Sequence, residues 1–195
     1  MAVRVPSGLI VTAVATWIVA EAAQWRVGVS MLWALLDEVS HGAVAATCVL
    51  WLAPRWGLRP TLVAVLAATL IDVDHVIAAG SFTPERMMHL PARPPTHSLA
   101  GVLGLAIAAG TLGGPRVGYA VAVGVLTHIL RDATAAPGVP LLVPAVADKH
   151  VIVPFWAFAA SVVGLSAVHA AIAPVRLTRG VRRRWWAPRP SSAGR

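Results

Sequence analysis

Histidines and carboxylates recur at helical spacing along this chain. Asp37 and His41 stand four apart, with Glu38 three before His41. Asp72 and His75 stand three apart in the run Leu70-Ile71-Asp72-Val73-Asp74-His75, and His128 and Asp132 again four apart. Residues three or four apart share a helical face, so each pair can aim an imidazole and a carboxylate at one point without strain. Asp74 points elsewhere unless the helix unwinds beside it. His97 lies in Pro95-Thr96-His97-Ser98. Imidazole plus carboxylate without thiolate is the ligand chemistry of Zn²⁺, Mn²⁺ or Fe, and an Asp can bridge two ions. Such an ion lowers the pKa of water toward about 7, readying it to attack phosphorus or carbon. The expected ligands of one or two divalent ions, zinc or manganese favoured, are His41, Asp72, Asp74, His97, His128 and Asp132. Asp37 or Glu38 would orient a ligand or act as base, and His75 would be a ligand or proton shuttle.

The elements that must position these groups belong to a membrane. Of 195 residues, 57% are hydrophobic and 12% charged, and the mean hydropathy of +0.74 is too high for a water-soluble domain. Spanning hydrocarbon takes about 20 apolar residues, and six stretches come close, at roughly 8–23, 31–53, 61–79, 97–114, 117–134 and 151–174. Turn chemistry separates them: Pro54 and Pro60, Pro84 to Pro95, Gly113-Gly114-Pro115, and Pro137 to Pro144. The runs are continuous instead of alternating, which predicts helices and excludes a barrel. The fold class is therefore all-α, a polytopic bundle of about six transmembrane helices. The first stretch has a second reading: Arg4, the apolar core from Leu9 to Val19 and Ala20-Glu21-Ala22 look like a signal peptide, whose cleavage would leave five. The spacings Ala106 to Gly110 and Gly114 to Gly118 suggest close helix packing.

Lys and Arg set orientation, because cytoplasmic loops accumulate them. With both termini in the cytoplasm, the inner side holds Arg4, Arg55, Arg59, Arg116 and seven arginines after Pro174, while the outer side holds Arg26, Arg86, Arg93, Arg131 and Lys149. The acids and histidines, which took no part in that choice, then fall on the outer side, His169 excepted. A shared cavity opening outward explains why carboxylates on four spans accept the cost of the membrane. Residues 176–195 read as a basic, disordered cytoplasmic tail facing anionic lipid, and no base-reading module accompanies it, so nucleic acid is not an expected partner. Cys48 is the only cysteine, which excludes an intrachain disulfide.

The order of these elements resembles the YdjM-like family of bacterial inner-membrane proteins, described as metal-dependent hydrolases. His41 stands for the family's first His, Asp72-Val73-Asp74-His75 for its Pro-Asp-x-Asp-His element, and Arg93 through His97-Ser98 for its Arg-x-x-x-His-Ser element. Gly124, His128 and Asp132, with Gly138 to Pro144, stand for its Gly-x-x-x-His-x-x-x-Asp helix and Gly-x-Pro-Leu-Leu-x-Pro loop. Ile71 replaces the usual proline, and Ala92 stands where a His often precedes the Arg, with His89 nearby as a substitute. The resemblance covers roughly residues 37–144, leaves the stretch 8–23 outside it, and implies a multi-pass inner-membrane protein; the expected transmembrane hydrolase-like domain is residues 1–175. A lipid-linked phosphate or other amphipathic ester is the expected substrate, with Arg93, Ser98 and Arg131 toward its head group. The alternatives are a metal or anion transporter and a noncatalytic metal-binding scaffold.

Overall fold

The computed structural model describes residues 5–135, 138–146 and 150–169. Its helices are α1 (Ser7–Gln24), α2 (Met31–Val49), α3 (Ala53–Trp56), α4 (Leu58–Leu70), α5 (Val73–Ala79), α6 (Pro84–Met88), a 3₁₀ turn (Pro95–His97), α7 (Leu99–Gly113) and α8 (Pro115–Asp132), then α9 (Phe155–His169). Among the described residues no strand forms, although Val139 and Val151 make an isolated antiparallel bridge. Starts follow local chemistry: Ser30 and Ser98 cap α2 and α7 by accepting from the backbone N–H of Trp33 and Gly101, and Pro opens α8.

The six expected stretches map onto α1, α2, α4 with α5, α7, α8 and α9, but not as six full-length apolar spans. Two helical stretches, Ser7–Gln24 and Leu58–Ala79, are long and apolar enough to cross a membrane; α7 and α9 are apolar but shorter. At 15 residues α7 is about 22 Å long, because Pro95–His97 forms a tight turn instead of a first helical turn. Charge interrupts the others: α2 carries Asp37 and Glu38, and α8 carries Arg116, Arg131 and Asp132.

Neighbours in the bundle are α1 on α2, α2 on α4, and α8 on α4, α7 and α2. Glycines bring the pairs with α8 close. A Cβ on Gly118 would stand 2.6 Å from Ala106 O and 3.0 Å from Gly110 Cα, and one on Gly124 would stand 2.1 Å from Ala64 O. The first contact bears out the Ala106-to-Gly110 spacing, against which Gly118 packs, while nothing packs against Gly114 among the described residues. Trp17 of α1 meets Phe158 of α9 edge to face, with centroids 5.8 Å apart, in a small core with Val44 and Val162.

The bundle is apolar outside as well as over much of its interior, and a polar cluster is enclosed at one end. Leu9, Val11, Ile18, Leu62, Leu66, Ile77, Leu103 and Ile107 are at least half exposed, whereas His41, His97 and His128 are 0% exposed. An apolar exterior around buried polar groups suits hydrocarbon better than water.

Candidate metal centre

The late residues of α8, the junction of α4 and α5, the Pro95–His97 turn and the early turns of α2 meet at one end of the bundle. There, Asp72 Oδ1 lies 3.0 Å from His97 Nε2 and 3.2 Å from His128 Nε2, and the two Nε2 atoms are 3.2 Å apart. Asp132 Oδ2 lies 3.3 Å from His128 Nε2 and 3.5 Å from His97 Nε2. A tetrahedral site with bonds of 2.0–2.1 Å separates its ligand atoms by about 3.3 Å. Each imidazole nitrogen already stands at that spacing from the other and from both carboxylate oxygens, and all four atoms lie within 4.8 Å of one another, so they could hold one divalent ion.

The far side of each ring supports the same reading. His128 Nδ1 lies 2.6 Å from Ala68 O. A carbonyl only accepts, so Nδ1 carries the proton and Nε2 turns a lone pair inward. His97 Nδ1 faces Asp74 Oδ2 at 3.3 Å, the carboxylate–histidine arrangement that orients ligands from outside, and Thr96 Oγ1 donates to Asp74.

Local backbone explains the convergence. Between α4 and α5 the bonds Asp74 N to Ile71 O and His75 N to Asp72 O run three residues back instead of four. Tightening the turn brings Asp72 and Asp74 from about 160° apart toward about 120°, so that both reach His97. This is the unwinding on which a role for Asp74 depended. The close approach of Gly124 to Ala64 places His128, one turn later, against the carbonyl of Ala68, also one turn later.

Around the quartet stand the other expected residues. His75 Nδ1 bonds Asp74 Oδ1 at 2.8 Å and lies 3.3 Å from Asp72 Oδ1, at the cavity wall. His41 stacks on His128, with centroids 3.6 Å apart and planes 14° apart, and neither of its ring nitrogens makes a hydrogen bond. Its Nε2 is 3.4 Å from Asp132 Oδ1 and 3.8 Å from Asp37 Oδ2. Glu38 Oε2 is buried without a hydrogen-bond partner.

The head-group residues divide. Arg93 lines the cavity, bonds Asp132, and donates from Nε to Gly138 O at 3.2 Å. Ser98 does not reach the cavity: it is 1% exposed, and its hydroxyl donates to Pro95 O while capping α7. Arg131 lines the cavity too, but its guanidinium is already engaged, with Nη2 at 3.0 Å from Glu21 Oε1, 2.8 Å from Asp37 Oδ1 and 3.0 Å from Gln24 Oε1. These contacts join α1 and α2 to the centre. His89 is no substitute for the missing His, being exposed and bonded to Glu85 O at 2.5 Å. Sequence reasoning missed Gln24, Thr96 and the Ala68 carbonyl; of these only Thr96, beside His97, had a local signal. Arg4, Lys149 and residues 176–195 lie outside the described residues.

Above the centre lies a cavity of about 620 Å³. Its floor holds Asp37, Glu38, Asp72 and Asp132, and its walls hold Trp25, Trp33, Met87, Met88 and Phe155. The profile of the YdjM inner membrane protein family matches residues 36–189. The chain belongs to that family. The match starts inside α2 and includes His41, Asp72, His97, His128 and Asp132, so the family segment contains the whole quartet while α1, with Glu21 and Gln24, precedes it. Searches of curated proteins and of solved structures find no match.

Proposed function

We propose that this inner-membrane protein is a metal-dependent hydrolase of a lipid-linked phosphate or another amphipathic ester. The observation that carries the reading is the spacing of His97 Nε2 and His128 Nε2 from each other and from Asp72 Oδ1 and Asp132 Oδ2, each between 3.0 and 3.5 Å. A divalent ion, zinc or manganese, would supply Lewis-acid polarisation of the scissile group and acidify water. Water oxygen would bond to phosphorus or acyl carbon as the ester bond breaks, and its proton would pass through Glu38 or Asp37 to the departing alkoxide. His75, bonded to Asp74 at the cavity wall, suits proton exchange with solvent. The aromatic and methionine walls suit an acyl or isoprenoid tail, with Arg93 toward the anionic head.

On this reading α1, α2, α4 with α5, α7, α8 and α9 form six spans, the cavity opens extracytoplasmically, both termini are cytoplasmic, and the arginine-rich tail meets anionic lipid. Carriage across the membrane fits less well. Beyond the centre, Val49, Ala64 and Ala120 form a buried apolar layer with Val63 and Val123, and a permeant needs a polar path.

The test is metal analysis of the purified full chain, with a phosphatase and esterase screen of wild type and Asp132→Ala. Bound metal and an activity lost by at least a hundredfold in the variant would support the reading. Activity untouched by the substitution would remove the catalytic assignment.

A further inference from the structure

Two groups in the centre are not accounted for by a single ion. His41 is 0% exposed and makes no hydrogen bond through either ring nitrogen, and Glu38 Oε2 is buried and unpartnered. An imidazole hidden from water normally finds a partner. His41 Nε2 points at carboxylates instead: Asp132 Oδ1 at 3.4 Å and Asp37 Oδ2 at 3.8 Å. His41, Asp37 and Asp72 each offer one atom, all within 4.8 Å of one another. Asp132 divides its oxygens, Oδ2 toward His97 and His128 and Oδ1 toward His41.

We propose that the centre seats two divalent cations, the second held by His41 and Asp37, with Asp72 and Asp132 shared between it and the first. This rests on the metal-dependent reading above and deepens it. Paired ions about 3.5–4 Å apart clamp both the attacking and leaving oxygens of an in-line displacement, which favours a phosphate ester over a carboxylic ester.

The full chain, purified in detergent and loaded with Mn²⁺ alone, tests this by elemental stoichiometry and EPR. Two ions per chain with a spin-coupled spectrum are expected, falling to one uncoupled ion in His41→Ala. One ion in the wild type overturns the second seat and leaves the first standing; none overturns both. Two ions retained in His41→Ala would also refute it. The wild-type measurement decides even if the variant fails to fold.

Discussion

The join between α1 and the centre predicts a large stability effect at a residue far in sequence from any ligand. Glu21 Oε1 accepts from Ser40 Oγ at 2.6 Å, Trp17 Nε1 at 3.3 Å and Arg131 Nε at 3.1 Å, and Glu21 is 9% exposed. Glu21→Ala strands three buried donors, each costing about 1–3 kcal/mol when unmet. Arg131 keeps Asp37 and Gln24, which brings the total down to the 3–5 kcal/mol typical of breaking a buried pair. For a chain of this size each kcal/mol shifts Tm by about 2–4 °C, so thermal unfolding in detergent should fall by about 6–20 °C. Glu21→Gln, which keeps an acceptor oxygen, should lose less than half as much. Glu21→Ala combined with Arg131→Met should recover part of the loss, because no guanidinium is then left unpaired. Glu85→Ala, at an exposed site, is the control. A Glu21→Ala protein that melts with that control would refute the coupling. Cleavage after Ala22 would remove Glu21 altogether, so the same reasoning expects intact-mass measurement to find α1 retained.

Removing divalent metal with a chelator should lower Tm by about 8–16 °C relative to protein held at a thousandfold excess over Kd, worth about 4 kcal/mol, and reloading should restore it. Gly124→Ala would push a methyl group onto the Ala64 carbonyl; separating α4 from α8 should cost about 1–3 kcal/mol and weaken metal retention by displacing His128 from Ala68 O. On the proposed activity, Arg93→Met should raise KM for an anionic substrate with kcat reduced less, whereas Ser98→Ala should cost about 1 kcal/mol of stability as a lost cap and leave KM unchanged.

The centre was legible because its members obey helix geometry. Asp37 with His41 and His128 with Asp132 are each one turn apart, so local spacing suffices to aim both groups of a pair. Asp72 and Asp74 were legible as a set, but their joint reach to His97 depends on three-back hydrogen bonds that no residue type announces; Ile71 is not a helix breaker. The partners of Arg131 were hidden for a different reason. Glu21 lies 110 positions away, and nothing in its neighbourhood, which reads equally as a signal-peptide end, indicates which helix it will meet. Ser98 misled through adjacency: beside His97 it resembles a site residue, while its place before Leu99 makes it a cap. Of the six expected spans, only two helical stretches are both long and apolar enough on their own, because the residues that build the centre are the ones that shorten or charge the other helices.

That conflict between spanning and coordinating explains where the centre sits. A carboxylate near the middle of a membrane helix has neither water nor a backbone donor to answer it, whereas at a helix end it can reach both loops and neighbouring chain ends. Here the end of α1, the early turns of α2, the α4–α5 junction, the Pro95–His97 turn and the end of α8 share one level, and the opposite level is closed by Val49, Ala64 and Ala120. The result is a cavity at the shared level whose lining combines Asp37, Glu38, Asp72 and Asp132 with Trp25, Trp33 and Phe155. On the proposed function, the acidic groups would face the head group and the aromatic ones the tail. For that reason the wall residues are where substrate choice should be sought: Phe155→Ala should change the preferred tail length without changing metal content, and unchanged tail preference would argue against the amphipathic substrate.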